Sequence, residues 1–123
     1  MMLPYPPSAN RYWRHFRGRT VRSMEADKYR GAVSYYARVA GLTERLKGAV
    51  RVCATLHPKR TKNGEASKTR LDLDNCVKVL LDALQGVAFD NDRQIEDLRI
   101  LLGGPVEGGG ISVTLESIAE GGG

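Results

Sequence analysis

The stretch RLDLDNCVKVLLDALQG, residues 70–86, carries a strongly amphipathic helical pattern. Its apolar residues recur at spacings of three and four: Val77, Leu80, Leu81 and Leu84. This spacing predicts a helix over residues 74–85 with one apolar face, and Gly86 is its natural stop. Because an apolar helix face is stable only when another element covers it, the rest of the chain must supply a sheet or a second helix.

Hydrophobic patterns elsewhere predict those covering elements. Residues 24–40 form a second amphipathic helix, with Ser23 as its N-cap and Gly41 as its stop. Strict alternation predicts a half-buried strand over residues 49–57, AVRVCATLH. Two further strands, QIEDLRILLG and GISVTLESI, are joined by the turn GPVEGG.

The order of these elements defines the fold class. Residues 3–23 mix prolines, aromatics and arginines without periodicity, which indicates a short entry strand followed by a loop. The order β, α, β, α, β, β predicts a small α+β domain whose mixed or antiparallel sheet is packed by two main helices. The chain has 123 residues, enough for one modest core. We assign residues 1–118 to a single domain and residues 119–123 to a flexible glycine-rich tail.

Charge is distributed unevenly along the chain. Residues 1–70 hold 16 Lys and Arg against 4 Asp and Glu, whereas residues 71–123 hold 3 against 10. Basic surfaces attract polyanions, and phosphate neutralisation is the commonest physical reason for such a surplus. The asymmetry therefore indicates a polyanion cradle around a cation-binding centre. Without a signal-peptide pattern or an apolar run of roughly 18–20 residues, the chain is expected in the cytoplasm, with no membrane as a partner.

Asp72 and Asp74 are separated by one residue at the head of the predicted helix. If the chain is extended there, both carboxylates point to one face while Leu71 and Leu73 point into the core. Two carboxylates on one face repel one another unless a cation or a proton lies between them, and Mg²⁺ prefers such oxygen ligands. The alternative role for either aspartate is that of a helix N-cap.

A third carboxylate is expected nearby. The predicted helix is roughly 18 Å long, and the segment GVAFDND that follows it spans roughly 20 Å when extended. An extended return would bring Asp90 or Asp92 back to the helix start, beside Asp72 and Asp74. The alternative is an ordinary Asx-rich turn within FDNDRQ.

Lys78 lies one helical turn after Asp74, on the same face. Such a pair is usually a minor surface stabiliser. Beside a metal site, however, the ammonium would contact the scissile phosphate or neutralise developing charge. These residue types together indicate metal-assisted attack of water on a phosphodiester, with Mg²⁺ as the Lewis acid.

Two basic clusters accompany these carboxylates. Residues 10–22, NRYWRHFRGRTVR, interleave three aromatic residues with five arginines, which suits phosphate contacts and stacking on unpaired bases. The aromatic side chains fit the core equally well. The second cluster leads directly into Asp72. The basic residues expected to contact nucleic acid are Arg11, Arg14, Arg17, Arg19, Lys59, Arg60, Lys62, Lys68 and Arg70.

Three motifs resemble, in order and spacing, the RusA family of Holliday-junction resolvases. They are PPSANRYWRH near the N-terminus, LDLDNCVKVLLDAL in the middle and FDNDRQI after it. The similarity covers roughly residues 4–117. Its most specific part is the Asp-x-Asp-Asn sequence with a lysine four residues after the second aspartate.

The resemblance implies a RusA-like fold and a small homodimeric endonuclease that makes paired symmetric nicks in four-way DNA junctions during recombination and repair. It implies Mg²⁺ as cofactor, with Mn²⁺ as a substitute and no organic cofactor, in proteins of bacteria, phages and prophages. Asp72, Asp74 and Asp92 would be the catalytic and metal-binding carboxylates, with Lys78 as the essential lysine. Asn10 and the arginines of the first basic cluster would lie near the DNA.

The chain departs from the family pattern at two places. Family members often show two adjacent aspartates where this chain has Asn91 and Asp92, with Asp90 one step earlier, so Asp90 is the alternative third carboxylate. The basic residues before Asp72, in SKTRL, are more dispersed than in the family. A different class of function is a non-catalytic module that binds junctions or other nucleic acids, in which the aspartates only cap a helix.

Overall fold

A computed structural model of the chain describes residues 1–64 and 73–118. Its elements in chain order are β1 Met2–Leu3, α1 Ala9–Tyr12, β2 Trp13–Phe16, β3 Arg19–Arg22, α2 Met24–Val39, β4 Val50–His57, α3 Leu73–Leu84, β5 Ile95–Leu102 and β6 Gly110–Ser117. A single 3₁₀ turn, Asp92–Gln94, directly precedes β5. The expected tail over residues 119–123 lies outside the described residues. Within the described ranges, no helix is long and apolar enough to cross a membrane.

Within the part of the chain that the structure describes, four strands form the main sheet, in the order β1-β6-β4-β5. β4 runs parallel to β5 and antiparallel to β6, which in turn pairs antiparallel with β1. Parallel neighbours need a crossover connection, and α3 supplies it between β4 and β5. The sheet is therefore mixed, and the predicted α+β class with two main helices is confirmed.

β4 supplies the centre of the core. Its inward side chains are fully buried and alternate with half-buried ones, as the sequence predicted: Val50, Val52, Ala54 and Leu56. α2 and α3 pack against this face. The buried face of α3 is wider than the predicted stripe, since Val79 and Ala83 are fully buried while Leu81 is half-buried. The reason is that α3 contacts α1, α2 and β5 rather than a single neighbour.

α2 begins and ends where the sequence predicted. The Ser23 hydroxyl accepts a hydrogen bond from the backbone N–H of Ala26 at 3.1 Å, which caps the first turn. Gly41 follows the last turn with a φ of 95°, a conformation that favours glycine. The backbone N–H of Leu42 donates to the carbonyl of Ala37 at 2.9 Å and closes the C-terminal end.

The prediction of a loop in the N-terminal segment is wrong. Residues 9–12 form the short helix α1, and β2 and β3 form a two-stranded hairpin. Arg17 and Gly18 make its turn with φ of 51° and 73°, and positive φ at both central residues is typical of a type I′ turn. The hairpin was not predicted because its strands bury no face, only Trp13 and Val21 being half-buried. Arginine is also an unusual residue before the turn glycine.

Candidate nucleic-acid interface and carboxylate site

Asp74 and Lys78 lie on the exposed face of α3, one turn apart. The Lys78 Nζ is 3.7 Å from the Asp74 Oδ2, and the two side chains are 60% and 79% exposed. Asp74 falls in the first turn of the helix. Asp72 lies outside the described residues, and so do Lys68 and Arg70.

Asp90 and Asp92 have different surroundings. The carboxylate of Asp90 is paired with Arg45 Nη1 at 2.9 Å and with Lys47 Nζ at 3.3 Å. Asp92 is exposed at the start of the 3₁₀ turn, and no side chain among the described residues pairs with its carboxylate. A carboxylate without partners keeps its oxygen lone pairs for a cation, which favours Asp92 over Asp90 as the third carboxylate.

α3 starts at the end of the sheet where β4 ends. Tyr5 follows β1, and Leu3 of β1 shares a β6 partner with Leu56, near the end of β4. Burial, and then the nearby Cys76 thiol, raise the pKa of Tyr5. The first turns of α3, which hold Asp74 and Cys76, therefore lie at the Leu56 end of the sheet.

Asp92 lies at the other end of the sheet. The chain turns tightly after α3, because the backbone N–H of Gly86 donates to the carbonyl of Phe89 at 2.7 Å. Ile95, three residues after Asp92, pairs with Val50 at the start of β4. Asp92 thus stays beside the C-terminal end of α3.

The extended return expected from the sequence is therefore wrong. Within one chain, α3 separates Asp74 from Asp92 by its length of roughly 18 Å. The segment after α3 stays compact because its turn hydrogen bonds pair backbone groups that an extended passage would leave to solvent. Among the described residues no three acidic, histidine or cysteine side chains gather as a metal site. The roles of Asp72, Asp74 and Asp92 stay predictions.

The hairpin β2–β3 presents a basic and aromatic surface. Arg14, Arg17 and Arg19 are exposed, and the side chain of Phe16 is 51% exposed. The guanidinium carbons of Arg14 and Arg17 lie 5.8 and 5.2 Å from the centre of the Phe16 ring. In the described part of the chain the hairpin strands pair only with each other. A hairpin with cations around an exposed aromatic ring suits the phosphate backbone and unpaired bases.

The aromatic residues of this segment divide between core and surface. Tyr12 is fully buried and Trp13 is half-buried, and their rings meet edge to face with centres 4.5 Å apart. Phe16 alone among these three is exposed. The sequence left open whether these aromatic residues pack in the core or stack on bases. Tyr12 and Trp13 pack in the core, and Phe16 is exposed and able to stack on a base.

Asp82 ties the hairpin and α2 to α3. Its carboxylate accepts hydrogen bonds from the Tyr12 hydroxyl, from Arg22 Nε at 2.7 Å and Nη2 at 2.9 Å, and from Arg30 Nη1 at 3.2 Å. Burial opposes ionisation of Asp82, but the hydrogen bonds and charges of these partners outweigh it, and its pKa is lowered. Burial and the bond to Asp82 raise the pKa of Tyr12. An ionised Asp82 therefore holds the hairpin base on α3, one turn beyond Lys78.

Comparison with known proteins identifies the family. The family model described as Endodeoxyribonuclease RusA matches residues 4–116. The chain belongs to the RusA family. The crossover junction endodeoxyribonuclease of Enterobacteria phage HK97 is 36% identical over 121 residues, which cover 95% of both chains. The protein of the same name from Escherichia coli K12 is 36% identical over 119 residues, or 96% of this chain and 93% of that one. The resemblance inferred from the three sequence motifs is confirmed.

The remaining predicted DNA contacts lie at two positions. Asn10 and Arg11 are exposed on α1, directly before the hairpin. Lys59, Arg60 and Lys62 are exposed after β4, at the end of the sheet where α3 starts. Apart from Arg22, which is paired with Asp82, the described basic residues of both predicted clusters are therefore open to a bound polyanion.

A third basic group was not predicted from the sequence. Arg38, Arg45 and Lys47 line an open cavity of about 710 Å³ between α2 and the turn after α3. This group lies on the Asp92 side of the sheet, since Arg45 and Lys47 both pair with Asp90. The signal in the sequence was the run ERLKG after Gly41, which supplies two cations within four residues. Cations thus flank both ends of α3.

Proposed function

We propose that the chain is a structure-selective endonuclease that resolves four-way DNA junctions by Mg²⁺-dependent hydrolysis, giving paired symmetric nicks. One observation carries this proposal: Asp74 and Lys78 are exposed on the helix that binds the arginine-rich hairpin through Asp82, in a chain of the RusA family. The named relatives are crossover junction endodeoxyribonucleases. Action on bacterial or phage DNA would place the chain in the cytoplasm.

Asp72, Asp74 and Asp92 are the residues proposed to hold Mg²⁺. Asp74 and Asp92, the two of these that lie among the described residues, suit a hard divalent cation. Asp74 is 79% exposed, and Asp92 has no partner among the described residues. Mn²⁺, which accepts the same oxygen ligands, would substitute. When bound, the cation supplies Lewis-acid polarisation of the phosphate and lowers the pKa of water beside it.

The remaining residues bind the DNA and neutralise its charge. Lys78 keeps its ammonium beside Asp74 and would contact the scissile phosphate, where negative charge develops during attack by water. Asn10 and the exposed hairpin arginines would hold the neighbouring backbone phosphates. Phe16 would stack on a base left unpaired at the branch point.

The position of Asp92 supports a site shared between two copies of the chain. Within one chain, Asp92 and Asp74 lie at opposite ends of α3, so a third carboxylate must come from elsewhere. In a two-fold symmetric dimer, Asp92 of each copy would meet Asp72 and Asp74 of the other, which completes two equivalent sites. Two sites related by a two-fold axis match paired nicks in opposing strands of a junction.

The function is tested on a labelled four-way junction with and without Mg²⁺. We expect Asp74→Asn to lose cleavage while junction binding survives or strengthens, because the change removes charge that repels phosphate. Asp27→Asn is the matched control, an exposed aspartate in the first turn of α2, and should cleave normally. Full cleavage by Asp74→Asn would overturn the proposal. Binding without cleavage by the unaltered chain would favour the non-catalytic module.

The shared site is tested by mixing two inactive variants, Asp74→Asn and Asp92→Asn, by co-expression. Mixed dimers would contain one intact site and one doubly altered site, so we expect nicks in one strand of each junction. If all three carboxylates came from a single chain, every site would carry one change and no cleavage would return. Absence of nicks from purified mixed dimers would therefore exclude the shared site.

A further inference from the structure

We infer that the third basic group, Arg38, Arg45 and Lys47, binds backbone phosphates of the DNA beside Asp92, and that Asp90 is the internal anion that these phosphates displace. The inference rests on the proposed function, because it extends the DNA-binding surface of the same chain to the Asp92 end of α3. None of the three cations belongs to the two basic clusters predicted from the sequence.

The cavity that this group lines offers mainly hydrogen-bond donors to an anion. Beside the three cations it is lined by the hydroxyl residues Ser34 and Thr43, and Glu44 is the one acid among its described lining residues. Sites for small molecules are mostly apolar and enclose their ligand. Arginine, lysine and hydroxyl side chains are instead the groups that contact the sugar–phosphate backbone of DNA. An open cavity with this lining therefore suits a DNA strand.

The three cations are accessible to such a strand. Arg38 is exposed, and its guanidinium makes no ion pair with any described residue. Arg45 and Lys47 are 50% and 79% exposed, and both pair with the carboxylate of Asp90, which is itself 49% exposed. Carboxylate and phosphate oxygens accept the same charge-assisted hydrogen bonds, so the pairing with Asp90 shows that Arg45 and Lys47 can bind one anion together. Exposed ion pairs are weak, and a polyanion can displace the carboxylate.

The side chain of Gln94 fixes this basic segment beside Asp92. Its Nε2 donates to the backbone carbonyls on the two sides of Lys47, at 2.9 and 3.0 Å. Its Oε1 accepts from the backbone N–H groups of Asp90 and Asn91, at 2.9 and 3.1 Å. A backbone hydrogen bond of 2.7 Å joins the same two segments. Phosphates bound by this segment would therefore keep a fixed position relative to Asp92.

The spacing of the basic groups matches the length of a DNA strand. Lys59, Arg60 and Lys62 lie at the end of the sheet where α3 starts, and the third basic group lies beside the turn after α3. The two ends of α3 are roughly 18 Å apart, which corresponds to roughly five phosphates along one strand of a duplex. A DNA arm that crosses α3 would meet a basic group at each end.

The salt dependence of junction binding, measured without Mg²⁺ so that no strand is cut, tests this surface. Arg38→Gln and Lys47→Gln should each reduce by about one or more the slope of the logarithm of the binding constant against the logarithm of the salt concentration. Arg45 is left in place so that Asp90 keeps a partner. Arg99→Gln is the matched control, because Arg99 is 68% exposed on the sheet face away from the helices and should leave the slope unchanged. Equal slopes for all three variants would overturn the inference.

Asp90→Asn tests whether the carboxylate competes with the DNA. Removing its charge frees Arg45 and Lys47, so we expect the variant to bind the junction about twofold to fivefold more tightly. Asp27→Asn, which removes an exposed charge from the first turn of α2, is the control and should bind as the unaltered chain does. Unchanged or weaker binding by Asp90→Asn would overturn the displacement of Asp90.

These binding measurements separate the inference from the nuclease proposal. If the unaltered chain cuts the junction and the slopes of the variants are equal, the third basic group binds no phosphate while the nuclease proposal stands. If the unaltered chain binds the junction without cutting it, the nuclease proposal fails, and a reduced slope for Arg38→Gln and Lys47→Gln still supports the phosphate-binding surface.

Discussion

Asp82→Asn is expected to destabilise the chain by removing the charge that holds the hairpin and α2 on α3. The carboxylate accepts from Tyr12, which is fully buried, and makes a two-pronged bond with Arg22. Hydrogen bonds to charged groups are worth about 1.5–3 kcal/mol each. Arg22 and Arg30 are 43% and 30% exposed, so solvent screens part of their attraction. We therefore expect the free energy of unfolding to fall by about 2 kcal/mol.

Urea unfolding followed by circular dichroism measures this change, and the melting temperature should fall by about 8 °C. Asp90→Asn is the matched control, because its partners Arg45 and Lys47 are 50% and 79% exposed. It should cost less than about 0.5 kcal/mol, as expected for surface ion pairs. A cost for Asp82→Asn as small as that of the control would refute the argument that Asp82 anchors the hairpin.

The same anchor predicts a pH dependence. The pKa of Asp82 is lowered from its ordinary value of 3.8, so the folded chain binds the proton less readily than the unfolded chain. The stability from Asp82 is therefore complete above pH 3.8 and is lost as pH falls through the folded pKa. The difference in the free energy of unfolding between the unaltered chain and Asp82→Asn should become smaller below pH 3.8. A difference that became larger there would contradict the lowered pKa of Asp82.

Three further changes separate structural from functional roles. Tyr12→Phe should cost about 1–2 kcal/mol in urea unfolding, because it removes one hydrogen bond to a charged carboxylate and keeps the packing. Arg17→Asn should stabilise the hairpin by about 0.5 kcal/mol, since asparagine tolerates positive φ. It should also reduce by about one the slope of the logarithm of the junction-binding constant against the logarithm of the salt concentration. Equal slopes for the two chains would exclude a phosphate contact by Arg17. Lys78→Gln should change the free energy of unfolding by less than about 0.5 kcal/mol but slow nicking about 100-fold or more. Normal nicking would show that Lys78 only forms a surface ion pair with Asp74.

The elements with a buried face were predictable from the sequence, and the others were not. α2, α3 and β4 each place apolar residues at a spacing that only one regular structure can bury, and their caps and stops are local. The hairpin β2–β3 has no such buried face. Its position depends instead on the contact with Asp82 and on the turn at Arg17 and Gly18. A contact between residues 22 and 82 leaves no signal in either segment alone.

The candidate site was predictable in its residue types and only partly in its arrangement. Asp74 and Lys78 stand together as spacing on a helix requires. The predicted position of Asp92 was wrong because it rested only on the reach of an extended chain. Reach is an upper bound, and the turn that follows Gly86 uses little of it. A second copy was implied by the family resemblance but had no place in that single-chain estimate.

The polar row of α3 shows how one helix divides its polar residues between folding and function. Asp74, Lys78 and Asp82 follow one another at intervals of four and share one face. They differ in whether another element covers them. Arg22 at the hairpin base contacts Asp82, whereas Asp74 and Lys78 stay exposed. Asp82 thereby fixes where the hairpin arginines stand relative to Asp74. A loss of Asp82 should therefore weaken junction binding through a displaced hairpin, even though Asp82 is not among the proposed DNA contacts.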